Sequence, residues 1–193
     1  MSSQRFVADW YEDRRLRLMA NAVEGDSILD LGYADMPNKY LSAPARRVVG
    51  VDLVAPSGRS GYDEEIQGDV MALSLEGRFT TVLAGELVEH LENPYEFTRR
   101  TRELLVDRGR LVISTPNPLG FPMFLFELAQ SRRRFFAADH TYTLTPRWVR
   151  RMLESCGFAL ERSVAVGLWN PFFAIPVCPV SLSYQVIYVA RAT

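Results

Sequence analysis

Short apolar runs alternate along the chain with amphipathic stretches. Within residues 1–23, Phe6, Val7, Trp10, Leu16, Met19 and Ala20 recur at mostly helical spacing with Arg and Glu between them, which predicts an N-terminal helix over about 4–23. Ser27–Leu31, Arg47–Leu53, Phe79–Ala84 and Gly109–Ser114 read as strands, with a short one near Glu65–Gly68. Asn93 and Pro94 fit the cap and first position of a helix running to about Val106. An amphipathic helix is expected over Leu119–Arg134. Another should open at Thr145-Pro146 and stop at Gly157. Phe158–Val166 and Tyr184–Ala190 read as closing strands.

Strands alternating with helices predict an α/β protein with a parallel sheet covered on both faces. In such sheets ligands bind beyond the carboxyl ends of the strands, at the switch point. The residues to read are therefore Asp30–Pro37, Asp52 and Leu53, Asp69 and Val70, Gly85–His90 and Thr115–Asn117.

A chain of 193 residues is the size of one domain, so residues 1–193 are read as a single unit. Lys and Arg number 22 against 23 Asp and Glu, and the net charge of −1 weighs against nucleic acid as a partner. Two cysteines, Cys156 and Cys178, make neither a disulfide framework nor a cysteine zinc site. Met1–Glu12 lacks the apolar run of a signal peptide. No unbroken apolar stretch reaches the roughly 18 residues of a membrane span; Val164–Ala190 is interrupted by Pro171, Pro176 and Pro179. The expected location is the cytoplasm.

Six pieces of the chain together resemble the class I S-adenosylmethionine-dependent methyltransferases. They are Ser27–Gly32 (SILDLG), Val48–Leu53 (VVGVDL), Gly68–Val70 (GDV), Phe79–Pro94 (FTTVLAGELVEHLENP), Gly109–Asn117 (GRLVISTPN) and His140–Phe158 (HTYTLTPRWVRRMLESCGF). The group most resembled includes the ubiquinone-biosynthesis O-methyltransferases and methyltransferases of natural-product and glycan pathways. The resemblance implies a Rossmann-like, seven-stranded sheet, mostly parallel with an antiparallel last strand, and S-adenosyl-L-methionine as cofactor.

Asp52 ends the second strand twenty residues after Gly32, where a carboxylate can accept both ribose hydroxyls of an adenosine. The resemblance places Leu53 beside the adenine, and Asp69 and Val70 at its amino group and ring edge. It gives Asp30 the methionine amino group. Gly32 and Gly85 allow backbone to approach the ligand. The glycine loop departs from the family's Gly-x-Gly-x-Gly: Gly32-Tyr33-Ala34-Asp35-Met36-Pro37 keeps only the first glycine. Pro37, with Asp35 as a candidate cap, should open a short helix whose N–H groups face a carboxylate.

Glu86, His90 and His140 are the candidate catalytic residues. The stretch after the fourth strand faces the transferred methyl in the family, and an imidazole there, as on His90, suits a general base. On one helical face Glu86, Glu89 and His90 would converge. With His140 they would resemble the metal-dependent small-RNA 3′-end 2′-O-methyltransferases, so a divalent ion stays open, though no metal ligand is assigned. Asn117–Asp139, with Phe121, Phe124, Phe126, Phe135, Phe136 and the triplet Arg132–Arg134, is the candidate substrate lid. Trp169–Pro179 reads as a rim, a dimer contact or a covered loop.

The favoured function is O-methylation of a small molecule, a natural-product, lipid or glycan intermediate. The alternatives are a metal-assisted RNA ribose 2′-O-methyltransferase and a cofactor-free binding subunit on the same fold.

Overall fold

The computed structural model describes residues 3–55, 58, 60–72, 75, 77–121, 123–128, 141–170 and 173–193. Helix α1 (Ser3–Ala20) leads into strands β1 (Ser27–Leu31), β2 (Arg47–Asp52), β3 (Glu64–Gln67) and β4 (Phe79–Gly85). Helix α2 (Pro94–Leu104), strand β5 (Leu105–Pro116) and helices α3 (Met123–Leu128) and α4 (Pro146–Ser155) follow. Strands β6 (Phe158–Asn170), β7 (Phe173–Ile175) and β8 (Gln185–Ala192) close the chain.

One sheet runs β3-β2-β1-β4-β5-β8-β6-β7. Its first five strands are parallel, and β8 lies antiparallel between β5 and β6. The seven-stranded order expected of the class I fold is present, and the short β7 extends its edge by pairing with the end of β6. The strand order reverses at β1 and β4, which makes their carboxyl ends the switch point.

The central strands are apolar on both faces because both are covered. Ile28, Val48, Leu83, Val112 and Ile187 pack with Tyr11 and Met19 of α1. Leu29, Val51, Val82, Ile113 and Tyr188 face the other way, onto Phe97 of α2 and Val149 and Met152 of α4. Asn93 caps α2 by accepting from Glu96 N at 3.1 Å, with Pro94 in the first turn. Thr145 caps α4, and Gly157, at φ +80°, takes the left-handed position that ends it.

The structure corrects several expectations. No helix opens at Pro37; residues 32–46 run through turns. Tyr33 turns inward. Its ring lies 5.1 Å from that of Tyr62, over Gly50, where a Cβ would stand 2.6 Å from Tyr33 Cε1. Asn38 is tied down as well, its N donating to Tyr62 Oη at 2.7 Å and its Nδ2 to Leu16 O at 2.9 Å. Tertiary contacts thus satisfy the loop without a helical ladder.

After β4 there is only the 3₁₀ turn Val88–His90, because Glu86 sits at φ +52° and cannot begin a right-handed helix. Strand β5 starts at Leu105, with a register shift opposite Phe79–Thr81, and β6 continues to Asn170. Of the expected Leu119–Arg134 helix, α3 occupies Met123–Leu128; residues 129–140 lie outside the described part.

Candidate active site

The carboxyl ends of β1 and β4 border a cleft of about 240 Å³, lined among others by Arg15, Asp30, Gly32, Gly85, Glu86 and His90. Two glycines make the space. Gly32 takes φ +72°, and a Cβ there would stand 3.0 Å from Leu87 Cδ1. A Cβ on Gly85 would stand 2.8 Å from Arg15 Nη1. Ala34 does not need the glycine of the family pattern, since it keeps a negative φ.

Arg15 enters this cleft from α1 and was not anticipated from the sequence. It is 5% exposed. Its Nε donates to Glu12 at 2.7 Å and its Nη1 to Ser114 Oγ at 3.3 Å. Among the described residues, Nη2 donates only to the Met36 thioether sulfur, at 3.6 Å. Thioethers are weak acceptors, so this edge of the guanidinium remains available to an anion.

Asp30 is buried and accepts from Tyr62 Oη at 2.5 Å. Burial pushes its carboxyl up to about 6, while the Tyr62 hydroxyl and the Arg15 charge act the other way. Glu86 accepts from Ser114 Oγ at 3.0 Å and from Gln185 Nε2 at 2.7 Å. Burial raises its pKa against the pull of Arg15, and Glu12 raises it further.

Glu89 goes elsewhere. Glu86 meets Ser114, and Glu89 is influenced by Thr115, the next residue of β5, whose side chain points to the opposite face of the sheet. Glu89 is 1% exposed and neither carboxyl oxygen has a hydrogen-bond partner. Burial first, and Glu86 second, push its pKa above the usual carboxylate range. The backbone carbonyl of Glu89 accepts from Thr141 and Tyr142, fastening that segment over it.

The convergence of Glu86, Glu89 and His90 expected from helical spacing is therefore not formed. Among the described residues no three His, Cys, Asp or Glu side chains are grouped as metal ligands would be. His90 lines the cleft; His140 lies outside the described residues.

The adenosine-side candidates follow along the neighbouring strand ends. Asp52 is half-buried, its Oδ2 accepting from Ala34 N at 2.9 Å and its Oδ1 from Val54 N at 3.1 Å. A carboxylate has about four acceptor positions, so both oxygens keep capacity. Leu53 is exposed just beyond it. Gly68 N donates to Asp52 O at 2.7 Å, which brings Asp69 alongside. Asp69 is exposed and closes its own turn by accepting from Met71 N at 2.8 Å. Val70 instead packs against the core and lines a separate cavity of about 220 Å³ with Leu31, Val51 and Leu104. Asn117, at the start of the candidate lid, is fully buried and clasps Ser183 O at 3.0 Å; beyond it Leu119, Phe121, Phe124 and Leu125 are exposed.

Gln185 and Ser114, like Arg15, escape sequence reading. They lie 28 and 99 residues from Glu86, which both hold, and no local spacing marks them.

Comparison with known proteins bears on the fold. No curated protein matches the chain by sequence. Among solved structures, the CcbJ methyltransferase of Streptomyces caelestis is 19% identical, with a TM-score of 0.67 over 95% of this chain and 96% of that one. The 1,6-didemethyltoxoflavin N1-methyltransferase of Burkholderia thailandensis, solved with S-adenosylhomocysteine, is 19% identical, with a TM-score of 0.67 over 98% and 87%. The N-methyltransferase NodS of Bradyrhizobium japonicum, also solved with S-adenosylhomocysteine, is 14% identical, with a TM-score of 0.61 over 94% and 85%. These likenesses are of fold. No described helix is long and apolar enough to cross a membrane. Residues 3–163 match the family model described as methyltransferase domain. The chain belongs to that family and is an enzyme of the class I, S-adenosylmethionine-dependent type.

Proposed function

We propose that the enzyme methylates an oxygen of a small molecule, a natural-product, lipid or glycan intermediate. The observation that carries this reading is the position of Glu86. It is a half-buried carboxylate of raised pKa, held on the glycine-lined cleft where β4 ends. Bound S-adenosylmethionine supplies an electrophilic methyl on its sulfonium.

The fit to that cofactor rests on complementary charge. Asp30 offers a carboxylate to the amino group of the methionine part. The open edge of Arg15 offers a guanidinium to its carboxylate. Arg15 thus takes the place of the helix N-terminus that the sequence led one to expect after Gly32. Asp52 receives the ribose hydroxyls, Leu53 flanks the adenine, and Asp69 accepts from its amino group, with the Val70 backbone left for the ring edge because its side chain packs against the core. Gly32 and Gly85 let backbone come close.

Methyl transfer to a hydroxyl needs alignment and a place for the proton. Glu86 provides that place. Its φ of +52° aims the side chain back into the cleft, and Ser114 and Gln185 fix both carboxylate oxygens. His90, on the same cleft, and His140 are the further candidates for relaying the proton. In the described part of the candidate cover, the exposed Leu119, Phe121, Phe124 and Leu125 give an apolar approach suited to a small organic acceptor.

The test is methyl transfer from radiolabelled S-adenosylmethionine to a panel of hydroxylated small molecules. Label recovered as a base-stable ether supports the reading. Label recovered only on nitrogen or carbon rejects it.

A further inference from the structure

A larger cavity, of about 540 Å³, lies between the start of α4 and strand β6. Strands β5 and β8 separate β6 from β4 and the cleft where β4 ends. β7 pairs with β6 only from Leu168 onward, so the cavity opens to solvent along the free edge of the sheet. Its volume falls within the roughly 300–1,000 Å³ of small-molecule sites.

The charge around it is one-sided. Arg147 and Arg150 line the cavity from α4, and Arg162 from the bulge in β6. All three are exposed, and among the described residues none of their guanidinium groups forms a hydrogen bond or an ion pair. Two acids stand close, and neither balances them. Glu161 gives its carboxylate to Arg110, at 2.8 Å, and to Arg191. Glu154, the one acid in α4, comes a turn beyond Arg150 without pairing with it. Arg147 meanwhile stands three and four residues before Arg150 and Arg151, spacings at which like charges on a helix repel. A neighbouring cavity of about 510 Å³ shares Arg147 and Arg150 and adds Arg151. Ser163, in register with Tyr188 and so on the α4 face of the sheet, adds a hydroxyl.

We infer that this cavity is a second ligand site and takes a diphosphate group, free or as the ester of a small organic molecule. A guanidinium fork binds phosphoryl oxygens two at a time. Arg147 and Arg150 offer two such forks one helical turn apart, and Arg162 a third from the facing wall. A carboxylate would bring one charge to three guanidinium groups, and an amine would be repelled. A diphosphate brings several charged oxygens and no donor, which is the complement of this lining. The cavity has room beyond the phosphoryl groups for an organic part. The inference does not depend on which atom the enzyme methylates.

The test is calorimetric titration of inorganic pyrophosphate at a constant ionic strength of about 0.15 M, with and without saturating S-adenosylhomocysteine. One equivalent should bind with a Kd below about 1 mM in both conditions. Arg147→Gln, Arg150→Gln and Arg162→Gln should each weaken it about tenfold or more, as for loss of a charge-assisted hydrogen bond. Affinity for S-adenosylhomocysteine should stay within about threefold in all three. ADP binding as tightly as pyrophosphate assigns the site to an ester, and pyrophosphate binding alone assigns it to the free anion. No saturable heat at about 10 mM, equal binding of sulfate, or an affinity unchanged in the three variants would overturn the inference. So would loss of binding once S-adenosylhomocysteine is present, which would put the anion on Arg15 in the cleft. Failure of S-adenosylhomocysteine to bind the wild type strikes at the cofactor reading, and the titration without it still decides this one.

Discussion

Arg15 lies across Gly85: a Cβ on the glycine would stand 2.8 Å from guanidinium Nη1. A helix at the beginning of the chain and the strand end at the switch point are thereby fitted to each other, and the cleft between them acquires a buried positive charge. Gly85→Ala should push the guanidinium off this position. The expected result is cofactor affinity weaker by about tenfold or more, as for loss of one charge-assisted hydrogen bond, with little change in melting temperature. Titration of S-adenosylhomocysteine checks it, and unchanged affinity would detach Arg15 from the cofactor.

Asp30 gives a pH dependence whose sign can be worked out. Its carboxyl is raised to about 6 in the folded protein, against about 3.9 unfolded. The protonated form's contribution to stability is fully present below the unfolded value and is lost as pH rises through about 6. The cofactor's ammonium needs the ionised form. Affinity for S-adenosylhomocysteine should therefore climb as pH rises through about 6 and level off above it. Tyr62→Phe removes a hydroxyl that favours the carboxylate and should move the rise to higher pH. A flat profile from about pH 5 to 7.5 would contradict the assignment.

Glu86→Gln keeps the shape of the side chain and removes the proton acceptor. Turnover should fall by about 10²–10⁴, while cofactor affinity stays within about threefold. In the wild type the acid limb of the turnover profile should lie above the ordinary carboxylate range, because burial raises the Glu86 pKa. Turnover by the Gln variant close to wild type would move the proton to a histidine.

Asn93→Ala tests the scaffold separately. Removing the side chain that accepts from Glu96 N should cost about 1 kcal/mol in denaturant unfolding. Cofactor affinity should not change, because α2 supports the sheet from the face opposite the cleft.

Much of the fold is legible in the sequence because buried parallel strands write it there directly. Ser27–Leu31 and Phe79–Gly85 are apolar on both faces, and Asn93-Pro94 and Thr145-Pro146 announce two helices. The site is legible only where it follows a strand end, as with Asp30, Gly32, Gly85 and Glu86. What stayed hidden depends on distance along the chain. Arg15 reaches Ser114 and Gln185 reaches Glu86 through tertiary packing. The helix expected at Pro37 does not form; Tyr33 packs over Gly50 and against Tyr62, and Asn38 bonds Tyr62 and Leu16. Helical spacing suggested that Glu86 and Glu89 share a helical face, but only a 3₁₀ turn, Val88–His90, forms there, and Glu86 is held by Ser114 and Gln185.

The central claim is that Arg15 and Asp30 together hold the methionine end of the cofactor, and calorimetric titration of S-adenosylhomocysteine into the wild type, Arg15→Gln and Asp30→Asn tests it most directly. The account predicts one bound equivalent in the wild type. Each variant should bind about tenfold or more weakly, as expected for a lost charge-assisted bond. No heat from the wild type at millimolar ligand, or variants that bind as the wild type does, would contradict it.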